Sequence, residues 1–280
     1  MKRMISVLLA TLVMVFGLAM AAQAANDFQV GFGYEKTDNE LTVEISDFGK
    51  VKLDTPGNSY FAELKYLPAD WLSFSAKYNW GNADLARLDI YPAYADLDLD
   101  ETTALRAEAA LNWQVNDSFK LSGLVGYARY KTKLQLNAAL PDDDGVISGT
   151  GNVRQKYSGA YAGVAGNYRP AENLELGAVY RYMFDPDGEL SGDLTATFPE
   201  ETEESFAAGD SGYFAAQAKT DMDDPSSSEL ELYARYAINE AWSLKAGYTQ
   251  TWMEYKMVEL PGVKVKNSTG GLALTAEYKF

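Results

Sequence analysis

The chain has 280 residues, with 40 Asp and Glu against 24 Lys and Arg, a net charge of -16, and neither His nor Cys. That balance excludes nucleic-acid binding, which needs a basic face for the phosphates. The lack of Cys excludes disulfides, thiolate metal sites and an acylated-Cys anchor.

At the amino terminus, Lys2 and Arg3 precede an apolar stretch from about Val7 to Ala22, and Ala22-Gln23-Ala24 forms a small-residue cleavage site. Residues 1–24 are therefore expected to be a signal peptide, with the exported chain at 25–280. No second apolar stretch reaches the ~18 residues of a spanning helix. If the exported chain crosses a membrane, it must do so as a closed barrel, because only helices and barrels satisfy their backbone there. The mean hydropathy of -0.25 suits such a barrel, which shows lipid only every second residue.

From residue 28 onward, apolar residues recur in steps of two, the period of a strand with one greasy face. The outward sets read Phe28/Val30/Phe32/Tyr34, Tyr60/Ala62/Leu64/Tyr66 and Leu72/Phe74/Ala76/Tyr78/Trp80. Leu105/Ala107/Ala109/Leu111/Trp113 and Phe119/Leu121/Gly123/Val125/Tyr127 follow. A sixth segment around Tyr157 to Tyr168 is rich in Gly and Ala, and its parity stays open. Leu174/Leu176/Ala178/Tyr180/Tyr182, Leu230/Leu232/Ala234/Tyr236/Ile238 and Trp242/Leu244/Ala246/Tyr248 precede the carboxyl-terminal segment. Aromatics collect at the ends of these sets, as interfacial belts require.

Tight turns alternate with longer excursions. Pro68-Ala69-Asp70-Trp71, Val115-Asn116-Asp117-Ser118, Pro170-Ala171-Glu172-Asn173 and Asn239-Glu240-Ala241-Trp242 carry bend-forming residues. The longer excursions lie near residues 37–57, 82–101, 134–153, 185–228 and 258–267. Leu41/Val43/Ile45 against Val51/Leu53, and Met257/Glu259 against Val263/Val265, predict hairpins that continue above the membrane. The fourth excursion holds twelve carboxylates against Lys219; its charge favours disorder in part. The predicted fold class is all-β: a closed antiparallel transmembrane β-barrel of about ten strands, with short periplasmic turns and long extracellular loops.

The polar parity faces the lumen. It supplies Glu63, Lys65, Lys77, Arg106, Glu108, Lys120, Arg181, Glu231, Arg235 and Lys245 as lumen-lining residues, with Glu35, Glu175, Glu229, Glu277 and Lys279 on the same parity. Charges of both signs predict either paired ions that plug a narrow barrel or a hydrated channel lined by the same residues.

The last segment, Leu272/Leu274/Ala276/Tyr278/Phe280, alternates with Ala273/Thr275/Glu277/Lys279 and closes on an aromatic. It resembles the insertion signal of bacterial outer-membrane β-barrels, with Leu272, Leu274, Tyr278 and Phe280 as the matching positions. The resemblance implies the cell outer membrane as location, the barrel-assembly machinery as partner, and outer-membrane lipid and lipopolysaccharide as surroundings. Ten tall strands also resemble the omptin surface proteases and the Opc-type adhesins in topology. The omptin mechanism needs a catalytic His, which this chain lacks, and Ser–His hydrolases are excluded on the same ground. Asp142-Asp143-Asp144-Gly145 lacks the spacing of a calcium loop. No catalytic residue, metal ligand or cofactor is assigned, and the chain is read as a non-enzyme. Two functions remain: porin-like passage of small solutes through a narrow charge-lined lumen, or a non-conducting surface adhesin or structural barrel whose acidic outer loops bind a partner or divalent cations. The fold hosts both.

Overall fold

Alternating apolar and polar residues leave each segment one face for hydrocarbon and one for the interior. A closed ring of strands is the arrangement that leaves no edge unpaired. The computed structural model, which describes residues 28–46, 49–90, 93–142, 145–197, 213–259 and 262–280, is such a ring. Its strands are β1 (Phe28–Ile45), β2 (Gly49–Ala69), β3 (Leu72–Ile90), β4 (Ala93–Asn116) and β5 (Phe119–Asp142), followed by β6 (Gly145–Ala171), β7 (Leu174–Thr197), β8 (Tyr213–Ala237), β9 (Trp242–Met257) and β10 (Val263–Lys279). Each pairs antiparallel with its chain neighbours, and β1 closes on β10. The predicted signal peptide lies outside the described residues.

The four tight turns join β2–β3, β4–β5, β6–β7 and β8–β9 at one end of the barrel. Asn side chains shape two of them: Asn116 Oδ1 accepts from the Ser118 amide at 2.9 Å, and Asn239 Oδ1 accepts from the Trp242 amide at 2.8 Å. At the opposite end Gly49 and Gly262 take positive φ values of 100° and 97°, a conformation that favours glycine.

The long excursions are mostly strand. Strands run from 16 to 27 residues, whereas about 9–11 suffice to cross a bilayer. On β9 the apolar band is bracketed by Trp242 and Trp252, both exposed. Above that band the ladder continues on every strand. The fourth excursion differs most from its sequence reading: β7 extends to Thr197 and β8 begins at Tyr213, so Asp221–Ser228 is strand and not loop. Pairing explains this, because Met222 lies opposite Met257 and Ser228 opposite Trp252. A register shift between Asp223 and Ser226, with Asp224 at φ 48°, absorbs the irregular DDPS sequence. Glu200–Glu204 lies outside the described residues.

Candidate functional site: the barrel lumen

Side-chain exposure follows the alternation. Val125 (61%), Val164 (63%) and Leu272 (68%) face outward, while Leu124 (5%) and Thr275 (3%) face in. The sixth strand also acquires a parity: Val164 and Tyr168 point out, and Tyr157 and Tyr161 are buried in the interior.

All ten residues assigned to the lumen from the sequence line internal cavities. Nine of them (all but Arg235) surround a polar cavity of about 100 Å³ together with Ser73, Ser75, Asn112 and Ser122. Arg235 lines a smaller one of about 70 Å³ nearer the tight turns, with Glu175 and Glu277. Five of the ten join in a single network. Arg181 on β7 donates from Nε to Glu108 Oε2 on β4 at 2.7 Å, and from Nη1 to Glu229 Oε1 at 2.7 Å and Glu231 Oε2 at 3.2 Å on β8. Arg106 on β4 donates to the same Glu229 oxygen, and Lys245 on β9 reaches Glu231 Oε1 at 2.6 Å. These bonds do not join neighbouring strands alone. In the barrel order three strands separate β4 from β8 and two separate β4 from β7, so the Arg106–Glu229 and Arg181–Glu108 pairs cross the lumen. The geometry meets the demands of buried charge, since each guanidinium faces carboxylates and each carboxylate accepts more than one donor.

Arg235 stands apart, on Glu277 at 2.6 Å, with Ser243 Oγ donating to the same Glu277 oxygen at 2.8 Å. Glu63, Lys65, Lys77 and Lys120 share the larger cavity, but among the described residues none lies within 4 Å of an opposite charge. Lys77 Nζ instead sits 4.0 Å from the centroid of the Phe61 ring.

Three interior aromatics were not legible as site residues: Phe61, Tyr161 and Tyr233. Each lies opposite a glycine on the next strand, with Phe61 against Gly33, Tyr161 against Gly126 and Tyr233 against Gly177. A Cβ on Gly33 or Gly177 would collide with the facing ring, so the glycines let the aromatics lie flat on the wall. Of the two tyrosines, Tyr161 reaches the network and Tyr233 the smaller cavity below it. The Tyr161 hydroxyl donates to Glu108 Oε2 at 3.0 Å, and the Tyr233 hydroxyl lies between Asn167 Oδ1 (2.9 Å) and Glu175 Oε1 (3.2 Å).

Above the ionic layer the interior becomes apolar on one side. Ala128, Tyr157, Tyr161, Met183, Met222, Met253, Tyr255 and Val265, drawn from β5 to β10, form one buried cluster. Tyr157 stacks on Tyr130, ring centroids 4.4 Å apart. Beside this cluster, mainly along β1 to β5 but reaching β6, β9 and β10, is a cavity of about 190 Å³ walled by Leu41, Leu53, Leu134, Thr and Asn side chains, and floored by Glu35, Arg106 and Glu229. Among the described residues no group of three or more acidic side chains is placed to hold a metal ion. Asp143 and Asp144 lie outside them.

The four positions that resemble an insertion signal, Leu272, Leu274, Tyr278 and Phe280, lie on the outer face of β10 or just beyond it. Leu272 and Leu274 are exposed; the Tyr278 ring meets Trp242 (4.9 Å) and Phe280 (4.8 Å) edge-on, and the Phe280 amide donates to the Phe28 carbonyl at 3.0 Å.

A ring of antiparallel strands with an apolar outer band, aromatic borders and a charged interior defines a membrane-spanning β-barrel of the outer-membrane type. Residues 8–199 match the family described as "Outer membrane protein beta-barrel domain", and the chain belongs to that family. Its location is accordingly the outer membrane. Among solved structures, the chain is similar to the outer membrane protease OmpT from Escherichia coli, with a TM-score of 0.65, 12% identity, and coverage of 91% of this chain and 97% of that one. It also matches the translocator domain of the autotransporter NalP from Neisseria meningitidis, at a TM-score of 0.44, 14% identity, and coverage of 97% and 98%. At these identities the likeness is one of fold. No curated protein matches the chain.

Proposed function

We propose that this protein is a non-conducting outer-membrane barrel that works at the cell surface through its tall upper half. The observation that carries the reading is the ionic network thrown across the lumen from β4 to β7 and β8. A solute moving along the axis would have to separate Arg181 from three carboxylates in a site of low exposure, and breaking such pairs is costly. The hairpin end then faces outside, following the general pattern of short periplasmic turns, and offers its acidic rim and outer wall to a partner or to divalent cations. The sequence has no His, and among the described residues no carboxylate pair is assembled in a catalytic setting, so the chain is read as a binding or structural protein and not an enzyme. Porin-like passage is the second reading, favoured by the cavities at and above the level of the network. Planar-bilayer recording of the refolded protein separates the two. Our reading expects no stable conductance steps, and ohmic steps that persist across voltage would sink it in favour of the porin.

A further inference from the structure

On the outer wall, just above the apolar band, β5 and β6 present five cations on one face: Arg129, Lys131 and Lys133 from β5, Arg154 and Lys156 from β6. Their outward direction follows from their neighbours. Val125 and Tyr127 share the β5 parity and are exposed, whereas Tyr130, Thr132 and Leu134 line the interior cavity, as do Gln155 and Tyr157 on β6. Tyr127, Ala160 and Phe184 lie side by side in the register and mark the top of the apolar band on this flank. At ~3.4 Å rise per residue and ~40° tilt, Arg129, Lys131 and Lys133 stand about 5, 10 and 15 Å above Tyr127. That is the level of lipid headgroups.

The register puts like charges face to face. Lys131 is directly opposite Lys156, and Lys133 directly opposite Arg154. Such pairs destabilise a sheet, and two in succession need a reason in a chain of net charge -16. Among the described residues no carboxylate lies within 4 Å of Arg129, Lys131 or Arg154. Lys156 reaches Glu189 at 3.7 Å, an acid already held by Lys219 at 2.9 Å. Other acids on the flanking strands include Glu101, opposite Lys133, with Asp96 and Asp98 opposite Asn137 and Gln135 higher on β4, and on β7 Asp187, opposite Ser158, and Asp193, whose Oδ2 accepts from Asn152 at 2.9 Å. The far wall is built differently at comparable height: Lys52 pairs with Glu40 at 2.9 Å and Lys266 with Glu44 at 3.1 Å.

We infer that the β5–β6 wall is a docking site for the phosphorylated headgroup of an outer-leaflet glycolipid, which would neutralise the facing cations. Long Lys and Arg stems can lie on the wall while their heads reach the phosphates, and Arg can bind two phosphate oxygens at once. A dissolved polyanion is a poorer occupant, because the acidic rim repels it, whereas a lipid phosphate is held at this height by its acyl chains. The inference rests on the proposed orientation, with the hairpin end outside.

The test uses refolded full-length protein in neutral detergent, titrated with bisphosphorylated lipid A, dephosphorylated lipid A, or inorganic phosphate. The patch variant combines Lys131→Gln, Arg154→Gln and Lys156→Gln; the control combines Lys52→Gln, Lys264→Gln and Lys266→Gln on the far wall. Heat-modifiable gel mobility shows that each is folded; a patch variant that fails to fold is replaced by Lys131→Gln alone. Phosphorylated lipid A should bind wild type and control equally, the patch variant at least tenfold more weakly, with affinity falling as salt rises. Equal binding by the patch variant, or equal binding of dephosphorylated lipid A by wild type, overturns the site. Binding of inorganic phosphate as tight as that of lipid A overturns the lipid as its occupant. Conductance bears on the closed lumen and not on these outcomes. Cleavage of the hairpin end by protease only after cell lysis would refute the orientation, and with it the outer leaflet as the source of the lipid.

Discussion

The two levels of the lumen are filled by different chemistry. Within the apolar band the interior is ionic: Arg106, Arg181, Glu108, Glu229, Glu231 and Lys245 are tied to one another across the barrel. Above it, β5 to β10 contribute Met and Tyr side chains to an apolar cluster, and the β1–β5 side keeps a cavity. The usual expectation, greasy inside and polar outside, applies to the upper half alone. At the lower level hydrocarbon already covers the outside, so the outward apolar residues need no core behind them. The interior is free to use directional ion pairs, which hold specific strands at specific distances in a way that apolar contact does not.

If that contrast is right, truncation should cost more below than above. Arg181→Ala strips Glu108 of its cation and leaves Glu229 and Glu231 with one each, Arg106 and Lys245, in a space of low exposure. We expect a loss of about 3–5 kcal/mol, the cost of breaking a buried pair by removing one partner, read from urea unfolding of the detergent-folded barrel. Combining Arg181→Met with Glu108→Gln should recover part of it, because fewer carboxylates are stranded. Met253→Ala in the upper cluster should cost less, about 2 kcal/mol, the lower end of the range for buried Met truncation, because a cavity adjoins the cluster and the walls can relax. A larger loss at Met253 than at Arg181 would invert the comparison. Gly177→Ala should fall lower still, about 1–2 kcal/mol, since the added methyl pushes the Tyr233 ring off the wall. Adding Tyr233→Ser should relieve that clash, and no relief would show that the glycine is not there for the ring.

The outer face and the ionic residues were legible in the sequence because a strand has period two, and Leu105 or Trp242 on one parity fixes where Arg106 or Lys245 must point. What the sequence withheld is partnership. Arg106 and Glu229 are 123 residues apart, and nothing in either neighbourhood says they meet. The facing of Gly33 with Phe61 becomes visible only once the β1–β2 register is known. The sixth strand was ambiguous because Gly and Ala carry little contrast; its inward Tyr157 and Tyr161 are fixed by their partners Tyr130 and Gly126. Asp221–Ser228 read as loop by composition and became strand because β9 offers it a ladder, with Met222 anchored inside the upper cluster. Local charge argued one way and tertiary pairing decided the other.

The smallest effect belongs to the ion pairs on the upper outer wall. A hydrogen bond from Lys219 holds the Glu189 carboxyl below its usual range, and one from Lys266 does the same for Glu44. A carboxyl whose folded value is depressed contributes stability that is present above its unfolded value, about 4.5, and that is lost as pH falls through the folded value. Both groups are solvent-exposed, so screening leaves little of it. Lys219→Ala should therefore leave the melting temperature at pH 7 within about 1–2 °C of wild type, the shift expected of an exposed pair in a domain this size. As pH falls from 4.5 through the depressed folded value the two proteins should converge, and they meet once Glu189 is protonated in both. The ionic network in the lumen supplies the contrast, since Arg181→Ala should stay far less stable than wild type across pH 5–8. A Lys219→Ala loss as large as that of Arg181→Ala, or one that grows as pH falls, would show that the upper wall is held by its charges and not by the interior behind it.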